Sequence, residues 1–343
     1  MRHTDRLSMT YCCTTLETSI PLYSNSYNLF LTCSRNRKIG IFVYFVNLPI
    51  YIIQLCCKYM AKDKVAIITG SSTGIGYETS LALARNGFYT YATMRKLEEG
   101  SEHTITNISK SENLPLQVIQ LDVNNDKSVM DAINRIVEEK KRIDVVINNA
   151  GYALVGALEE TSMNEIRGQF ETNFFGAVRV MQQVIPIMRK QTSGKIVNIT
   201  SMGGRIAIPL DSIYHATKFA LEGLSESIQY ELAPFGIKVI LIEPGAVESN
   251  FWKNLKIATK GSDPNSSPYR QIENNMSEAL KQMVQNTIPS SEVAKVILQA
   301  VTSDNPDFRY VIGKDAAMII EARKNMSDSE FENLMKKQFN LQY

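Results

Sequence analysis

Beyond residue 57 this chain contains no cysteine. All five cysteines, at positions 12, 13, 33, 56 and 57, fall in the leader of a 343-residue sequence, and the 286 residues that follow have none. A disulfide framework for the main body is thereby excluded, and the pattern fits a reducing compartment such as the cytoplasm. The same region lacks an excess of either charge. Residues 1–61 hold six Lys or Arg against two acids, whereas residues 62–343 hold 31 basic and 33 acidic residues. The basic face that nucleic-acid binding leaves in a sequence is therefore absent from the main body. No internal repeat is present, and no metal site is expected.

A long uninterrupted apolar run is also missing. The nearest to one, Ile39 to Cys57, is broken by Asn47, Pro49 and Gln54 and flanked by basic residues at both ends. A membrane-spanning helix needs about 20 apolar residues, so this stretch is borderline, and flanking charges at both ends assign no orientation. Residues 1–61 read as an N-terminal extension, disordered or upstream of a working start at Met60, with a membrane anchor at 39–57 as the alternative.

What is present from residue 62 onward is an alternation of apolar β-rich runs with helical periods, the pattern of a parallel sheet with crossover helices. Strands are expected at Val65–Thr69, Phe88–Met94, Leu116–Leu121, Ile143–Asn148, Lys195–Thr200, Lys238–Ile242 and Phe308–Ile312. Helices are expected at Gly74–Asn86, 126–140, 163–190, Ser212–Phe235 and over the last 25 residues. The fold class is thus α/β, a doubly wound Rossmann-type parallel sheet of about seven strands with helices on both faces, forming one domain over 62–343. A lid over about 246–290 is expected to include the Gly261–Pro268 loop, lying between two short helices.

The turn Thr69-Gly-Ser-Ser-Thr-Gly-Ile-Gly76 follows the first strand. Gly70 permits the tight turn, Gly74 admits backbone close to a pyrophosphate, and Gly76 lets the next helix pack against the sheet, with the phosphates facing its N-terminus. An acid about 20 residues past such glycines holds a ribose 2′-hydroxyl, whereas a cation there suits a 2′-phosphate. Here the second strand ends in Met94-Arg95-Lys96 with no acid before Glu98. Arg95, assisted by Ser72 or Thr73, therefore favours NADP(H) over NAD(H). Asp122 follows the third strand and is placed to take the adenine amine, and Asn148-Asn149-Ala150-Gly151 ends the fourth.

Ser201, Tyr214 and Lys218 stand at intervals of thirteen and four residues. A phenol has a pKa of about 10, and a cation one helical turn away favours its anion. Lys218 is thus expected to depress Tyr214, which acts as general acid or base, while the Ser201 hydroxyl holds the substrate oxygen. Tyr310 and Lys314 repeat the four-residue interval, but they are read as lying on the last strand, and Ile297 stands where a serine is needed.

Together these motifs, with Asn173 and Pro244-Gly245, closely resemble the simple branch of the short-chain dehydrogenases/reductases over residues 62 to about 250. The resemblance implies a homodimer or homotetramer packed through two long helices. It implies that Asn173 is a fourth catalytic position supporting a water and lysine relay, and that Lys218 also binds the nicotinamide ribose. Val247 and Ser249 match positions that contact the carboxamide, and Ile75, Val123 and Ala150 complete the implied cofactor set. The 99 residues after Pro244 resemble the longer hydroxysteroid and retinol dehydrogenase-like members, which implies a hydrophobic ketone or aldehyde as substrate. Phe251, Trp252, Leu255 and Ile257 are read as pocket lining or as the buried stripe of a lid helix. The competing readings are an epimerase, dehydratase or enoyl reductase on the same fold, and a non-catalytic NADP-sensing protein.

Overall fold

The computed structural model describes residues 64–97, 101–249, 251–252, 255–259, 267–285 and 287–342, and three short strands in the leader. The chain divides into two compact units, Met1–Cys56 and Cys57–Tyr343. In the first, Ile39–Ile41 pairs antiparallel with both Thr10–Tyr11 and Leu31–Cys33. The rest of the apolar stretch to Cys57, and Met60, lie outside the described residues. No helix among the described residues is long and apolar enough to cross a membrane.

In the second unit, β1 (Val65–Thr69) is buried along its whole length. Its side chains alternate between two faces, as a strand's must. Val65 and Ile67 enter one apolar cluster and Ala66 and Ile68 another. Burial on both sides is the signature of a parallel sheet covered by helices. The elements that follow are α1 (Gly74–Arg85), β2 (Tyr89–Met94), α2 (Ser101–Ser111), β3 (Leu116–Gln120), α3 (Asp126–Lys140) and β4 (Val145–Asn148). Beyond a short β5 (Leu154–Val155) come α4 (Met163–Phe170), a π-helical turn (Glu171–Phe175), α5 (Gly176–Gln191), β6 (Gly194–Ile199), α6 (Ser212–Leu232) and β7 (Ile237–Pro244).

The remainder comprises β8 (Val247–Glu248), β9 (Lys256–Ile257), α7 (Arg270–Gln285), β10 (Ile288–Pro289), α8 (Ser290–Thr302), β11 (Arg309–Ile312), α9 (Lys314–Asn325) and α10 (Asp328–Gln338). The central sheet runs β11-β7-β6-β4-β1-β2-β3, all pairs parallel. Strand order reverses between β1 and β4, and the crevice at the carboxyl ends there is where open α/β sheets take ligands. One face is covered by α3, α5 and α6, whose Ile133, Val180 and Leu221 pack on the sheet. The other is covered by α1 and α8 through Leu83, Val293 and Ile297.

A buried polar chain seats α6. Asn148 Nδ2 donates to Asn198 Oδ1 at 2.8 Å, and Asn198 Nδ2 donates to Ser225 Oγ at 2.9 Å. Both amide donors find their acceptors only when β4, β6 and the helix are in register, so the chain fixes where α6 sits on the sheet.

Several expectations are corrected. The 163–190 helix is interrupted by the π turn, and α2 was not anticipated. Before the Gly261–Pro268 loop, Trp252 lies in a 3-10 turn and residues 253–254 lie outside the described set; beyond them β9 pairs with β5, Lys256 with Leu154 and Ile257 with Val155, and Ile257 is exposed. Residues 261–266 lie outside the described set. Lys314 begins α9 rather than extending the strand of Tyr310, whose hydroxyl accepts the Asp307 N–H at 3.0 Å.

Candidate active site

Gly70 and Gly74 both adopt left-handed backbone, with φ of 71° and 61°, a region open to glycine at little cost. A Cβ on Gly76 would stand 2.4 Å from the Gly70 carbonyl oxygen and 2.5 Å from Asn149 Nδ2. The turn therefore closes onto its own backbone, and Asn149 holds it shut. Its Nδ2 donates to the carbonyls of Thr69 and Gly70, both at 2.9 Å, while Thr69 Oγ1 accepts the N–H groups of Asn149 and Ala150. Thr73, the N-cap of α1, forms no side-chain cap, so the first-turn N–H groups receive no bond from it.

From this turn a cleft of about 760 Å³ runs across the carboxyl ends of the strands. It is lined by Gly70, Ser72, Thr73, Ile75, Arg95, Asp122, Val123, Asn149, Ala150, Gly151, Ser201, Tyr214, Lys218, Pro244, Gly245 and Val247. Four residues expected at the site do not line it: Gly74, Gly76, Asn173 and Ser249. The two glycines and Ser249 shape the rim, since a Cβ on Gly74 would meet Ser249 Cβ at 3.1 Å. Asn173 is buried in the π turn, a feature frequent at functional sites. Its Oδ1 accepts the Tyr152 N–H at 3.0 Å, and its Nδ2 donates to Tyr152 O at 2.9 Å and to Thr217 Oγ1 at 3.2 Å. The side chain thus ties the Gly151–Tyr152 backbone to α6 without reaching the cleft.

Ser201 leaves β6 in extended backbone and caps a short 3-10 turn, its Oγ accepting the Gly203 N–H at 3.0 Å. Tyr214, half-buried in the first turn of α6, lines the same cleft. Lys218, one turn on, lies with Nζ 5.6 Å from the Tyr214 ring centre and donates to the Ile199 carbonyl at 2.9 Å. The expected depression of the Tyr214 pKa is not found. Burial pushes the phenol above its ordinary value, with the Ser201 hydroxyl opposing the rise and the Asp211 charge adding to it. Desolvation disfavours the phenolate more than the neighbouring groups favour it. It acts on Lys218 as well, lowering its ammonium to about 8.

His215 and Asp211 also line the cleft, and neither was anticipated. His215 Nδ1 donates to Gly203 O at 2.8 Å and Nε2 accepts the Ile208 N–H at 3.2 Å, partners that assign the neutral tautomer. Burial lowers its pKa in the same sense. A Cβ on Gly203 would lie 2.6 Å from that Nδ1, so the glycine makes room for the ring. The far wall is apolar, built from Ile206, Ile208, Phe251, Trp252, Leu255, Met276 and Leu280. Of the four lid residues named from sequence, only Ile257 is absent from it. Ile206 and Met276 also belong to a cluster with Phe331, Met335 and Phe339 of the C-terminal tail, which supports this wall from behind.

Comparisons with known proteins identify the family and the fold. Residues 64–260 match the family model of the short chain dehydrogenases. A 3-ketodihydrosphingosine reductase of Bacteroides thetaiotaomicron is 36% identical over 255 residues, covering 74% of this chain and 88% of the relative. Bovine retinol dehydrogenase 8 is 36% identical over 256 residues, covering 72% and 80%. Among solved structures, a short-chain dehydrogenase from Streptomyces avermitilis superposes with a TM-score of 0.68 at 30% identity, covering 82% of this chain and 98% of that one.

Proposed function

The chain belongs to the short-chain dehydrogenase/reductase family and is an oxidoreductase of that fold; we propose that it interconverts a hydrophobic ketone or aldehyde with its alcohol, using NADP(H) and Tyr214 as the proton donor and acceptor. The observation that carries this reading is that Ser201, Tyr214 and Lys218 line one cleft that joins the glycine turn to an apolar wall.

The glycine turn fits a dinucleotide. Its backbone leaves no room for side chains at Gly70 and Gly76, and Thr73 and Ile75 at the N-terminus of α1 line the cleft. Gly70, Ser72, Thr73 and Ile75 would hold the phosphates, Asp122 and Val123 the adenine, and Lys218 the nicotinamide ribose, with Pro244, Gly245 and Val247 beside the ring. Arg95 is exposed at the cleft edge just past β2, where a guanidinium suits a 2′-phosphate. The bound nicotinamide supplies or accepts the hydride.

The chain's own residues handle the proton. A phenol held above its ordinary pKa keeps its proton at neutral pH, the form a carbonyl reduction requires. Ser201 donates to the substrate oxygen and holds it beside Tyr214 as negative charge develops there. Lys218, ammonium below about pH 8, supplies the positive charge that favours the phenolate once the proton has left. Asn173 is a positioning residue, tying α6 to the Gly151–Tyr152 backbone.

Phe175 and Phe219, large apolar side chains exposed on and beside the long helices, support a homo-oligomer built through that face, which light scattering checks. The activity itself is tested by presenting the protein with a panel of bulky ketones, aldehydes and their alcohols and following NADPH absorbance. Turnover of apolar carbonyls is the expected result, and no turnover of any member sinks the reading.

A further inference from the structure

Asp211 stands at the N-cap of α6, where an aspartate ordinarily accepts from the amides of the first turn. It forms no such bond here. Its Oδ1 is buried and has no hydrogen-bond partner. Its Oδ2 lies 3.8 Å from His215 Nε2, but that nitrogen already accepts the Ile208 N–H, so the neutral ring offers Asp211 neither proton nor charge. No Lys or Arg among the described residues forms an ion pair with it.

The group is nonetheless held firmly. Leu210 before it sits in left-handed backbone, φ 61°, and its carbonyl accepts the Gly156 N–H at 2.7 Å. The Asp211 carbonyl accepts the His215 N–H at 3.0 Å. Strain in a non-glycine residue persists only where the surroundings impose it, and it gathers at ligand sites. An unpaired, partly desolvated carboxyl fixed in place is costly to the fold alone. It lines the same cleft as Ser201 and Tyr214, three residues from Tyr214, and its charge contributes to the rise in the Tyr214 pKa.

We propose that Asp211 is a specificity residue that accepts a hydrogen bond from a second polar group of the substrate, an O–H or N–H carried near the reacting carbon. The preferred substrates are then hydroxy- or amino-substituted ketones and the matching alcohols, whose apolar remainder lies along Ile206, Ile208, Met276 and Leu280. The inference rests on the carbonyl–alcohol reading above and adds the donor requirement to it. A site built to pair a substrate O–H or N–H rejects the analogue that lacks it.

The test compares a long-chain ketone with its α-hydroxy and α-amino counterparts, on the full-length protein with NADPH. Wild type should favour the donor-bearing ketones in kcat/KM by about ten- to a hundredfold, as expected for one hydrogen bond to a charged group. Asp211→Leu should bring the three within about twofold of one another. Asp211→Asn, close to isosteric, should keep part of the hydroxyl preference and lose that for the ammonium, separating an acceptor from a charge. Binding is read independently from Trp252, the single tryptophan of the chain and part of the cleft wall, whose fluorescence should report the same discrimination in Kd. Equal treatment of the three ketones by wild type, or an undiminished preference in both variants, overturns the proposal. If no ketone is reduced but Trp252 still reports donor-dependent binding that Asp211→Leu abolishes, the carbonyl–alcohol reading fails and the Asp211 assignment stands.

Discussion

Lys218 holds its ammonium 5.6 Å from the centre of the Tyr214 ring while donating to the Ile199 carbonyl at 2.9 Å. The lysine is therefore anchored to the end of β6, the strand that delivers Ser201, so one bond sets helix, strand and both hydroxyls in a common frame. On the proposed reading the Tyr214 phenol passes the proton, and Tyr214→Phe should lower kcat by about 10²- to 10⁴-fold. Nucleotide affinity, followed by Trp252 fluorescence, should change little. Retained turnover would remove Tyr214 from the chemistry.

The Lys218 shift gives a pH dependence with a definite sign. Burial lowers the ammonium to about 8, so the charge is present below that pH and lost above it. Carbonyl reduction should be level in kcat/KM below about 8 and fall by about tenfold per unit above it, as for loss of one essential proton. Lys218→Arg, which cannot shed its charge, should lack that limb in whatever activity remains. Stability moves the other way. An unfolded lysine keeps its proton to 10.5, so between pH 8 and 10.5 the native chain binds fewer protons than the unfolded one and gains stability as pH rises. That gain should be missing from Lys218→Met in thermal melts across the range. A flat rate profile in wild type would show that the Lys218 charge is not used.

Much of this was legible before any coordinates, for physical reasons that also explain what was not. A strand buried on both faces is rich in apolar and β-branched residues, so Val65–Thr69 and the central strands beside it stand out as runs, while the edge strands Leu116–Gln120 and Arg309–Ile312 are only partly buried. The Tyr214–Lys218 interval gains force from Ser201 because two motifs are far rarer together than apart. The π turn around Asn173 does not stand out, since one extra residue per turn barely disturbs an apolar period. Helix Ser101–Ser111 is rich in Ser, Thr and Asn, which compete with the backbone for hydrogen bonds and weaken a helical reading. The sign of the Tyr214 shift was misread because the four-residue interval conveys charge proximity but not desolvation. Asp211 was hidden by its own plausibility, as an aspartate ahead of a helix reads as a cap until the bond proves absent.

Gly76 supplies a third check. A methyl group there would meet the Gly70 carbonyl at 2.4 Å and Asn149 Nδ2 at 2.5 Å, neither of which can move without opening the turn. Gly76→Ala should weaken nucleotide binding by at least about tenfold, the scale of a 1–3 kcal/mol overpacking cost. Isothermal titration measures it directly. Unchanged affinity would mean that the turn's closure is irrelevant to the nucleotide.

The proposed preference for NADP(H) rests on one position. Arg95 follows β2 at the cleft edge, and no acid stands between it and the end of that strand. A guanidinium–phosphate contact is worth about 1.5–3 kcal/mol, or roughly 10- to 150-fold, and an aspartate at the same place would repel the phosphate while accepting from a ribose hydroxyl. Arg95→Asp should therefore lower the NADPH-to-NADH ratio of kcat/KM by at least that factor, with most of the loss in the KM for NADPH. The exchange leaves the proton-handling residues untouched, so kcat with saturating nucleotide should hold within a few-fold. A preference for NADPH that survives the substitution would move 2′-phosphate recognition away from Arg95, to Ser72, Thr73 or another group at the glycine turn.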